Sequence, residues 1–533
     1  MTTMTTAAEI PETDGHIVAD QSEVAAFLAE PATYGPAVRK VQRIDTHGAM
    51  VFLAGDRAYK IKRAVKFSYM DFSTLARRQE VCERELRLNR RTAPGIYLET
   101  RPVIRRADGS LGFDGPGEAV EWVLVMRRFE QEGLFDRLAT AGKLTPELMQ
   151  RLTDAILRFH RAAEPLGPQA PGGGGAEGLR IVAEGSLEEF AERPDLFPEA
   201  EVAGLRSQMR DRLRRSAGLL DARLAEGFVR RCHGDLHLGN ICLFDGEPTL
   251  FDCIEFNDDF AAIDLLYDLA FLLMDLEHRG LRPLANLVLN RYLQDGQALD
   301  GLAALPVFLA NRALVRAKVL ASAEARQEGV AARDRLRKEA RRYFQAGRAD
   351  LEPAAPRLLA VGGLSGTGKT TLARRLAPLI GAAPGALHLR SDLIRKQLWD
   401  SDELTPLPQE AYTADFGARV YAEICRRARQ GLAAGQAVVT DAVFSKPAER
   451  AAIEAVAGDF GLRFQGLWLE AAPEVMIERV TTRRGDASDA TAEVVSQQLN
   501  YDIGTLSWWR LDAAGPTERL AKAAAEALQL APA

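Results

Sequence analysis

Residues 363 to 370, GLSGTGKT, constrain the fold of this chain more than any other stretch. They fit the pattern G-x4-G-K-[ST], with the apolar run LLAV before them and the helical pattern TLARRL after them. In that context a glycine-rich turn and the start of a helix form a cradle for phosphate groups. The motif therefore predicts a P-loop domain of α/β type with a parallel sheet.

The positions of this loop have separate predicted roles. Backbone N–H groups cradle the β-phosphate of ATP, Lys369 reaches the γ-phosphate, and the Thr370 hydroxyl is a ligand for Mg²⁺. The sequence thus predicts ATP and Mg²⁺ as cofactors. The residues predicted to bind the nucleotide here are Gly363, Leu364, Ser365, Gly366, Thr367, Gly368, Lys369, Thr370 and Thr371.

A second stretch, HLRSDLIRKQLW at 388 to 399, has the order Ser-Asp-x-x-Arg after a short strand. It resembles P-loop kinases of small hydroxyl substrates, polynucleotide ends and zeta-type toxins. The resemblance implies that Asp392 orients or deprotonates the acceptor hydroxyl and that Arg395 holds the substrate. Asp392 could instead be the N-cap of the helix that opens there.

Two further stretches complete this region. The apolar strand in QAVVTDAVFSKPAER, 436 to 450, ends at Asp441, which would occupy the Walker B position and steer Mg²⁺. Pro473 indicates the start of a helix, and the i, i+4 spacing of Arg479 and Arg483 predicts that they lie on one face of it. These arginines resemble the lid of nucleotide- and gluconate-kinase-like enzymes, which implies that they clamp the transferring phosphoryl group. The alternative is a solvated face.

The first half of the chain contains a different phosphate-handling pattern. In HGDLHLGN, 233 to 240, Asp235 and Asn240 keep the Asp-x4-Asn spacing of a kinase catalytic loop. That spacing predicts that Asp235 accepts the proton of the acceptor hydroxyl and that Asn240 is a metal ligand. Twelve residues later Asp252 ends an apolar strand, where a second Mg²⁺ ligand belongs.

Upstream, VFLAGDRAYKIKRAV at 51 to 65 predicts a β-hairpin with a Gly-Asp turn. Lys60 has the Ala-x-Lys order of the kinase lysine that contacts the nucleotide phosphates, and Lys62 on the same face is the alternative. Glu85, in the charged helix that follows, is the predicted partner of this lysine.

HGDLHLGN, FDCIEFND and YDLAFLL together resemble the aminoglycoside phosphotransferase and choline-kinase group of the protein-kinase-like fold. The resemblance implies that Asp268 braces the catalytic loop and that EWVLVMRRF, 121 to 129, contacts adenine. Gly48 alone stands where protein kinases have a glycine-rich roof. The order of the two regions resembles bacterial proteins described as bifunctional aminoglycoside phosphotransferase and ATP-binding proteins.

These patterns predict four segments and a two-domain fold of α/β and α+β class. Residues 1 to 20 are a flexible N-terminus, and 21 to 345 form the protein-kinase-like domain of aminoglycoside phosphotransferase type. The linker is 346 to 356, where proline, glycine and charge are mixed. Residues 357 to 533 form the P-loop kinase domain.

The composition of the chain limits the classes of binding partner that we expect for it. With 47% hydrophobic and 27% charged residues, the chain is typical of a globular protein. The five cysteines are widely spaced without a CxxC pair, which disfavours a disulfide framework or a zinc site. The N-terminal stretch lacks signal-peptide features and no apolar run approaches 18 residues, so we expect a cytoplasmic protein without a membrane partner. Residues 357 to 533 carry 20 Lys+Arg against 21 Asp+Glu, which disfavours nucleic acid.

The leading functional hypothesis is a tandem ATP-dependent phosphotransferase that phosphorylates hydroxyl groups of small metabolites, with one site in each domain. Asp235 and Asp392 favour it, because a pure ATPase needs no residue facing an acceptor. One alternative is a nucleotide-sensing regulator in which one domain binds ATP without catalysis. The other is a polynucleotide 5′-hydroxyl kinase in the C-terminal domain.

Overall fold

The computed structural model describes residues 17–46, 48–67, 70–167, 171–296 and 298–530. Residues 1 to 16, most of the predicted flexible N-terminus, lie outside this part of the chain. The described residues divide into two compact units. The first contains the residues up to Pro198, Leu220–Leu272 and Val315–Arg341; the second contains Glu199–Leu219, Leu273–Leu314 and the residues from Arg342 onward.

The described residues form fifteen strands, numbered in chain order. They are β1 (Val41–Asp45), β2 (Ala49–Ala54), β3 (Arg57–Lys62), β4 (Tyr97–Arg105), β5 (Leu111–Gly112), β6 (Glu118–Arg127), β7 (Val229–Arg231), β8 (Ile241–Phe244), β9 (Glu247–Leu250), β10 (Ala262–Asp264), β11 (Leu358–Gly363), β12 (Leu387–Arg390), β13 (Val438–Asp441), β14 (Gln465–Glu470) and β15 (Trp509–Asp512).

The same residues form seventeen α-helices. They are α1 (Ser22–Ala29), α2 (Leu75–Asn89), α3 (Phe135–Thr140), α4 (Pro146–Ala162), α5 (Gly175–Ala191), α6 (Glu199–Ala225), α7 (Leu265–His278), α8 (Arg282–Tyr292), α9 (Leu305–Arg326), α10 (Val330–Asp350), α11 (Lys369–Leu376), α12 (Ser391–Leu398), α13 (Ala414–Ala433), α14 (Pro447–Asp459), α15 (Pro473–Thr482), α16 (Ala492–Gln498) and α17 (Thr517–Ala527). None of them is long and apolar enough to cross a membrane.

The first unit is built on a six-stranded antiparallel sheet in the order β1-β2-β3-β6-β4-β5. β2 and β3 form the predicted hairpin around Gly55 and Asp56. Side chains alternate along β3, so Tyr59 and Ile61 pack into the apolar core while Lys60 and Lys62 lie on the opposite face. The alternation thus delivers both lysines to one site.

The catalytic-loop sequence lies between β7 and β8, and Asp252 follows β9. Gly234 adopts a φ of 84°, and a Cβ there would come within 2.9 Å of the Phe260 carbonyl oxygen. A side chain at this position would therefore clash and strain the backbone, which explains the glycine between His233 and Asp235.

The second unit contains a five-stranded parallel sheet in the order β12-β13-β11-β14-β15. Leu359, Val361 and Leu467 are fully or almost fully buried in its core. The glycine-rich loop connects β11 to α11, and the neighbouring strand β13 ends at Asp441. The predicted parallel sheet is confirmed, and its topology places these two segments at the same edge.

The predicted linker begins inside a helix, because α10 continues to Asp350. Residues 353 to 357 have no regular structure. The functional domain boundary at 346 to 356 stays a prediction.

Candidate active sites

In the first unit, two lysines and two acidic residues form a charge cluster around the buried Glu85 carboxylate. Lys60 Nζ lies 2.8 Å from Glu85 Oε1 and 2.7 Å from Asp252 Oδ1. Lys62 Nζ lies 2.6 Å from Glu85 Oε2. Glu85 is completely buried. The structure therefore brings the three predicted residues Lys60, Glu85 and Asp252 together, and it gives the alternative lysine a place on the same carboxylate.

The two lysines differ in their second contacts. Lys60 reaches Asp252, whereas Lys62 lies 2.5 Å from Glu255 Oε1. Burial alone would lower the pKa of Lys60, but Asp252 and Glu85 reverse this effect and raise it well above the ordinary value. Burial raises the pKa of Glu255 despite the opposing effect of Lys62. Glu255 was not predicted as a site residue, and only its position three residues after Asp252 could have suggested it.

The predicted base Asp235 and metal ligand Asn240 are in direct contact. Asn240 Nδ2 donates hydrogen bonds to Asp235 Oδ2 at 2.8 Å and to the Asp235 carbonyl oxygen at 3.0 Å. This arrangement turns the amide nitrogen toward Asp235 and leaves the side-chain oxygen of Asn240 as the atom that could hold a metal. Together with the Asp252 carboxylate, these oxygen donors fit a hard cation such as Mg²⁺.

Asp235 is ionised at neutral pH. Burial would raise its pKa, but His237, whose Nε2 lies 3.4 Å from Asp235 Oδ2, together with Arg316, holds the pKa well below its usual range. The sequence assigned no role to His237. Asp268 accepts hydrogen bonds from the backbone N–H groups of His233 and Gly234 at 3.1 and 2.8 Å. It therefore braces the catalytic loop, as the resemblance of these stretches to the aminoglycoside phosphotransferase group implied.

Some of these groups face one pocket of about 310 Å³. Lys60, Asp235 and Asp252 line it together with Met126 to Phe129, which belong to or follow β6, the segment expected to contact adenine. Thr46 and Gly48, which lie between β1 and β2, line it as well. Asp252 has a φ of 59°, a strained conformation for a residue with a side chain. Such strain is characteristic of functional positions.

In the second unit, the glycine-rich loop packs closely against the backbone of α15. Gly366 has a φ of 83°, and a Cβ there would come within 2.5 Å of the Met476 carbonyl oxygen. Lys369 Nζ donates to the Leu364 carbonyl oxygen at 2.9 Å. Burial lowers the pKa of Lys369, although the negative charges of Asp392 and Asp441 oppose this effect. Thr371 is exposed in the first turn of α11.

Asp441 is tied to the loop and to an unpredicted histidine. Thr370 Oγ1 donates to Asp441 Oδ1 at 3.1 Å, and His388 Nε2 lies 2.6 Å from Asp441 Oδ2. Burial would raise the pKa of Asp441, but the hydrogen bond from His388 and the positive charges of Arg390 and Lys369 lower it. The carboxylate and the Thr370 hydroxyl are hard oxygen donors that fit Mg²⁺.

Of the residues predicted to face the acceptor and the phosphoryl group, Asp392 and Arg395 lie on α12 and Arg479 lies on α15. Asp392 is in the first turn of α12, whose N-cap is Arg390, so Asp392 is not the N-cap. Arg395 donates to the Ala411 carbonyl oxygen at 2.6 Å and lies over the Tyr412 ring. Arg479 donates to the Gly366 carbonyl oxygen at 3.4 Å.

Arg483 is the C-cap of α15, which ends at Thr482, and its backbone N–H donates to the Arg479 carbonyl oxygen at 3.2 Å, as in a continuing helical turn. The Arg483 guanidinium donates to the carbonyl oxygens of Ser488 and Ala490 at 2.8 and 3.2 Å. Its positive charge still contributes to lowering the pKa of Lys369.

Salt bridges that the sequence did not indicate close the loop after α15. Lys396 Nζ lies 2.8 Å from Asp489 Oδ1, and Tyr412 donates to Asp489 at 2.6 Å. Arg390 lies 3.2 Å from Asp486. These pairs join residues about 80 to 100 positions apart, so no local pattern could have revealed them.

Comparison with known proteins gives two family matches. Residues 63–305 match the phosphotransferase enzyme family, and residues 358–501 match an AAA domain family. Both are families of kinase-like domains, and the chain is a phosphotransferase enzyme of mixed helix and sheet fold, as predicted.

Relatives match over most of the length. The uncharacterized protein Rv2004c of Mycobacterium tuberculosis (strain ATCC 25618 / H37Rv) and the uncharacterized protein Mb2027c of Mycobacterium bovis are each 33% identical over 485 residues, which is 89% of this chain and 93% of theirs.

Solved structures match parts of the chain. A choline/ethanolamine kinase family protein from Mesorhizobium loti covers 62% of this chain and 98% of its own, with 17% identity and a TM-score of 0.34. A sugar kinase from Janibacter sp. HTCC2649 covers 33% of this chain and 96% of its own, with 22% identity and a TM-score of 0.26. The chain belongs to the same family as the two mycobacterial proteins, and in this chain the phosphotransferase-family region precedes the AAA-domain region.

Proposed function

We propose that this protein is a tandem kinase with one ATP-dependent phosphotransferase site in each unit, each acting on a hydroxyl group of a small metabolite. The observation that carries the proposal is the same in both units: an aspartate for the acceptor lies near a phosphate-binding lysine. Asp235 shares a pocket with Lys60, and the charge of Asp392 acts on Lys369.

At the first site, Lys60 is the proposed phosphate-binding lysine, because it alone of the two contacts both Glu85 and Asp252. Asp252 and Asn240 would hold Mg²⁺, which neutralises charge on the phosphates when bound. Asp235 accepts the proton of the acceptor hydroxyl. The acceptor oxygen forms a bond to the γ-phosphorus, the bond from that phosphorus to the bridging oxygen breaks, and ADP leaves.

At the second site, Lys369 and the backbone of the glycine-rich loop bind the phosphates, and Thr370 and Asp441 would hold Mg²⁺. Asp392 takes the proton of the acceptor hydroxyl, Arg395 holds the acceptor, and Arg479 and Arg483 stabilise the transferring phosphoryl group. A correctly placed general base contributes about 10² to 10⁴ in rate. We further propose that the protein acts in the cytoplasm.

Transfer of the γ-phosphoryl group from labelled ATP into a metabolite extract tests this function. Products are identified by mass spectrometry for the wild type, Asp235→Asn and Asp392→Asn, with the exposed Asp114→Asn as the matched control. We expect each active-site variant to lose a product or to stop at an intermediate, and the control to match the wild type. If both active-site variants form every wild-type product at the wild-type rate, neither aspartate is a catalytic base. Nucleotide binding without any transfer would favour a sensor instead.

A further inference from the structure

The strand β12 is the edge strand of the parallel sheet in the second unit, and polar side chains from α8 meet its outer edge. Asn286 Nδ2 and Asn290 Nδ2 donate to the Ala386 carbonyl oxygen at 3.0 and 3.1 Å. Asn290 Oδ1 accepts the backbone N–H of His388 at 2.6 Å. Backbone groups of an edge strand lack a neighbouring strand on their outer side, so these side chains replace it and fix the position of β12.

The His388 side chain continues this connection across the sheet. Arg390 is directly opposite Asp441 in the β12–β13 register, so His388, two residues earlier, lies on the same face as Asp441. The His388 and Asp441 side chains are only 6% and 3% exposed. An ionised carboxylate only accepts hydrogen bonds, so the imidazole donates from Nε2.

Both oxygens of Asp441 are therefore constrained. His388 holds Oδ2, while Thr370 Oγ1 donates to Oδ1. Without His388, Oδ2 has no other donor among the contacts of the described residues, and the carboxylate is free to rotate about its terminal torsion. Partners that orient a ligating carboxylate in this way typically change metal affinity by about 10- to 100-fold when they are removed.

We propose that His388 is a positioning residue that sets the orientation of Asp441 at the metal-binding end of the glycine-rich loop. Asn290 fixes the position of the His388 backbone within β12. The inference rests on the proposed role of Asp441 as a Mg²⁺ ligand. His388 touches neither nucleotide nor acceptor; it acts through Asp441. The hydrogen bonds from the His388 backbone N–H to Asn290, from the His388 ring to Asp441 and from Thr370 to Asp441 thereby link α8 to the loop.

Three variants of the full-length protein separate this role from a packing role. His388→Gln places an amide nitrogen near the position of Nε2, whereas His388→Asn is one methylene shorter and does not reach Asp441. His388→Leu fills the space without a donor. The readout is the Mg²⁺ concentration at half-saturation of fluorescent ATP-analogue binding. Only the part of the signal that Lys369→Met abolishes is used, because that part reports the second unit.

We expect His388→Asn and His388→Leu to raise this Mg²⁺ concentration by about 10- to 100-fold. His388→Gln should stay close to the wild type, and binding of the analogue in EDTA should be equal in all four proteins. A wild-type Mg²⁺ dependence in His388→Asn overturns the inference, whatever the stability of His388→Leu. If the Lys369-dependent binding of the wild type is itself insensitive to Mg²⁺, the proposed metal site fails, and the role of His388 fails with it.

Discussion

Glu85→Gln tests whether the lysine–carboxylate cluster of the first unit is a single electrostatic unit. Glu85 is completely buried, accepts a hydrogen bond from Lys60 at 2.8 Å and forms an ion pair with Lys62 at 2.6 Å. At an effective dielectric constant of about 20, each such contact is worth about 6 kcal/mol of attraction before the cost of desolvation is subtracted. The substitution keeps the shape of the side chain but leaves two buried ammonium groups short of one negative charge.

Removing one partner from a buried ion pair typically costs about 3 to 5 kcal/mol. We expect the opening free energy of β3 and α2 to fall by about that amount in Glu85→Gln. Hydrogen exchange of the amides in these two elements, followed by mass spectrometry, measures this free energy region by region. The control is Glu83→Gln on the same helix, because Glu83 is exposed and, among the described residues, its side chain bonds to Gln79 alone.

The control should change the opening free energy by less than about 0.5 kcal/mol. If Glu85→Gln is as stable as Glu83→Gln, the two lysines do not depend on the Glu85 charge. The attraction within the cluster would then be balanced by desolvation, and the assignment of Glu85 as the partner of the phosphate-binding lysine would lose its energetic basis.

Two further predictions concern the second unit. Asn286→Ala and Asn290→Ala should each lower the free energy of unfolding of this unit by about 1 kcal/mol. The double variant should lose more than the sum of the two, because only then does the Ala386 carbonyl lose both side-chain donors. An additive result in chemical unfolding would contradict this shared role. Burial and the neighbouring Glu277 raise the pKa of Asp350 to about 7, whereas the unfolded chain has a pKa of about 3.9. Because the unfolded chain releases this proton at lower pH than the folded chain, Asp350 should increasingly destabilise the unit as the pH rises from about 4 to about 7. The gain in melting temperature from Asp350→Asn should therefore grow over that window and then stay constant. A gain that does not vary with pH would exclude this explanation.

The parts of the sites that the sequence predicted are those set by local chain geometry. The turn at Gly363 to Lys369 and the contact between Asp235 and Asn240 depend on a few neighbouring residues, so spacing is enough to indicate them. The meeting of Lys60, Glu85 and Asp252 joins residues up to 192 positions apart. Their order along the chain, compared with a known family, was needed to predict that contact.

The residues that the sequence missed act through tertiary packing. His388 has a neighbour in Asp441 only because β12 and β13 pair in one register, and Asn290 reaches His388 from 98 positions away. Glu255 is buried and forms an ion pair with Lys62, although its neighbours in the sequence are acidic and polar. The Arg483 guanidinium bonds to carbonyl oxygens beyond the end of α15, and periodicity alone does not record where a helix ends.

The count of ATP sites per chain tests the central claim most directly. Equilibrium dialysis with a non-hydrolysable ATP analogue in the presence of Mg²⁺ is carried out on the wild type, Lys60→Met, Lys369→Met and the double variant. Because Lys60 and Lys369 belong to different units, one site in each unit predicts two analogue molecules per chain in the wild type, one in each single variant and none in the double variant. A single molecule per wild-type chain, or two in either single variant, would contradict the account.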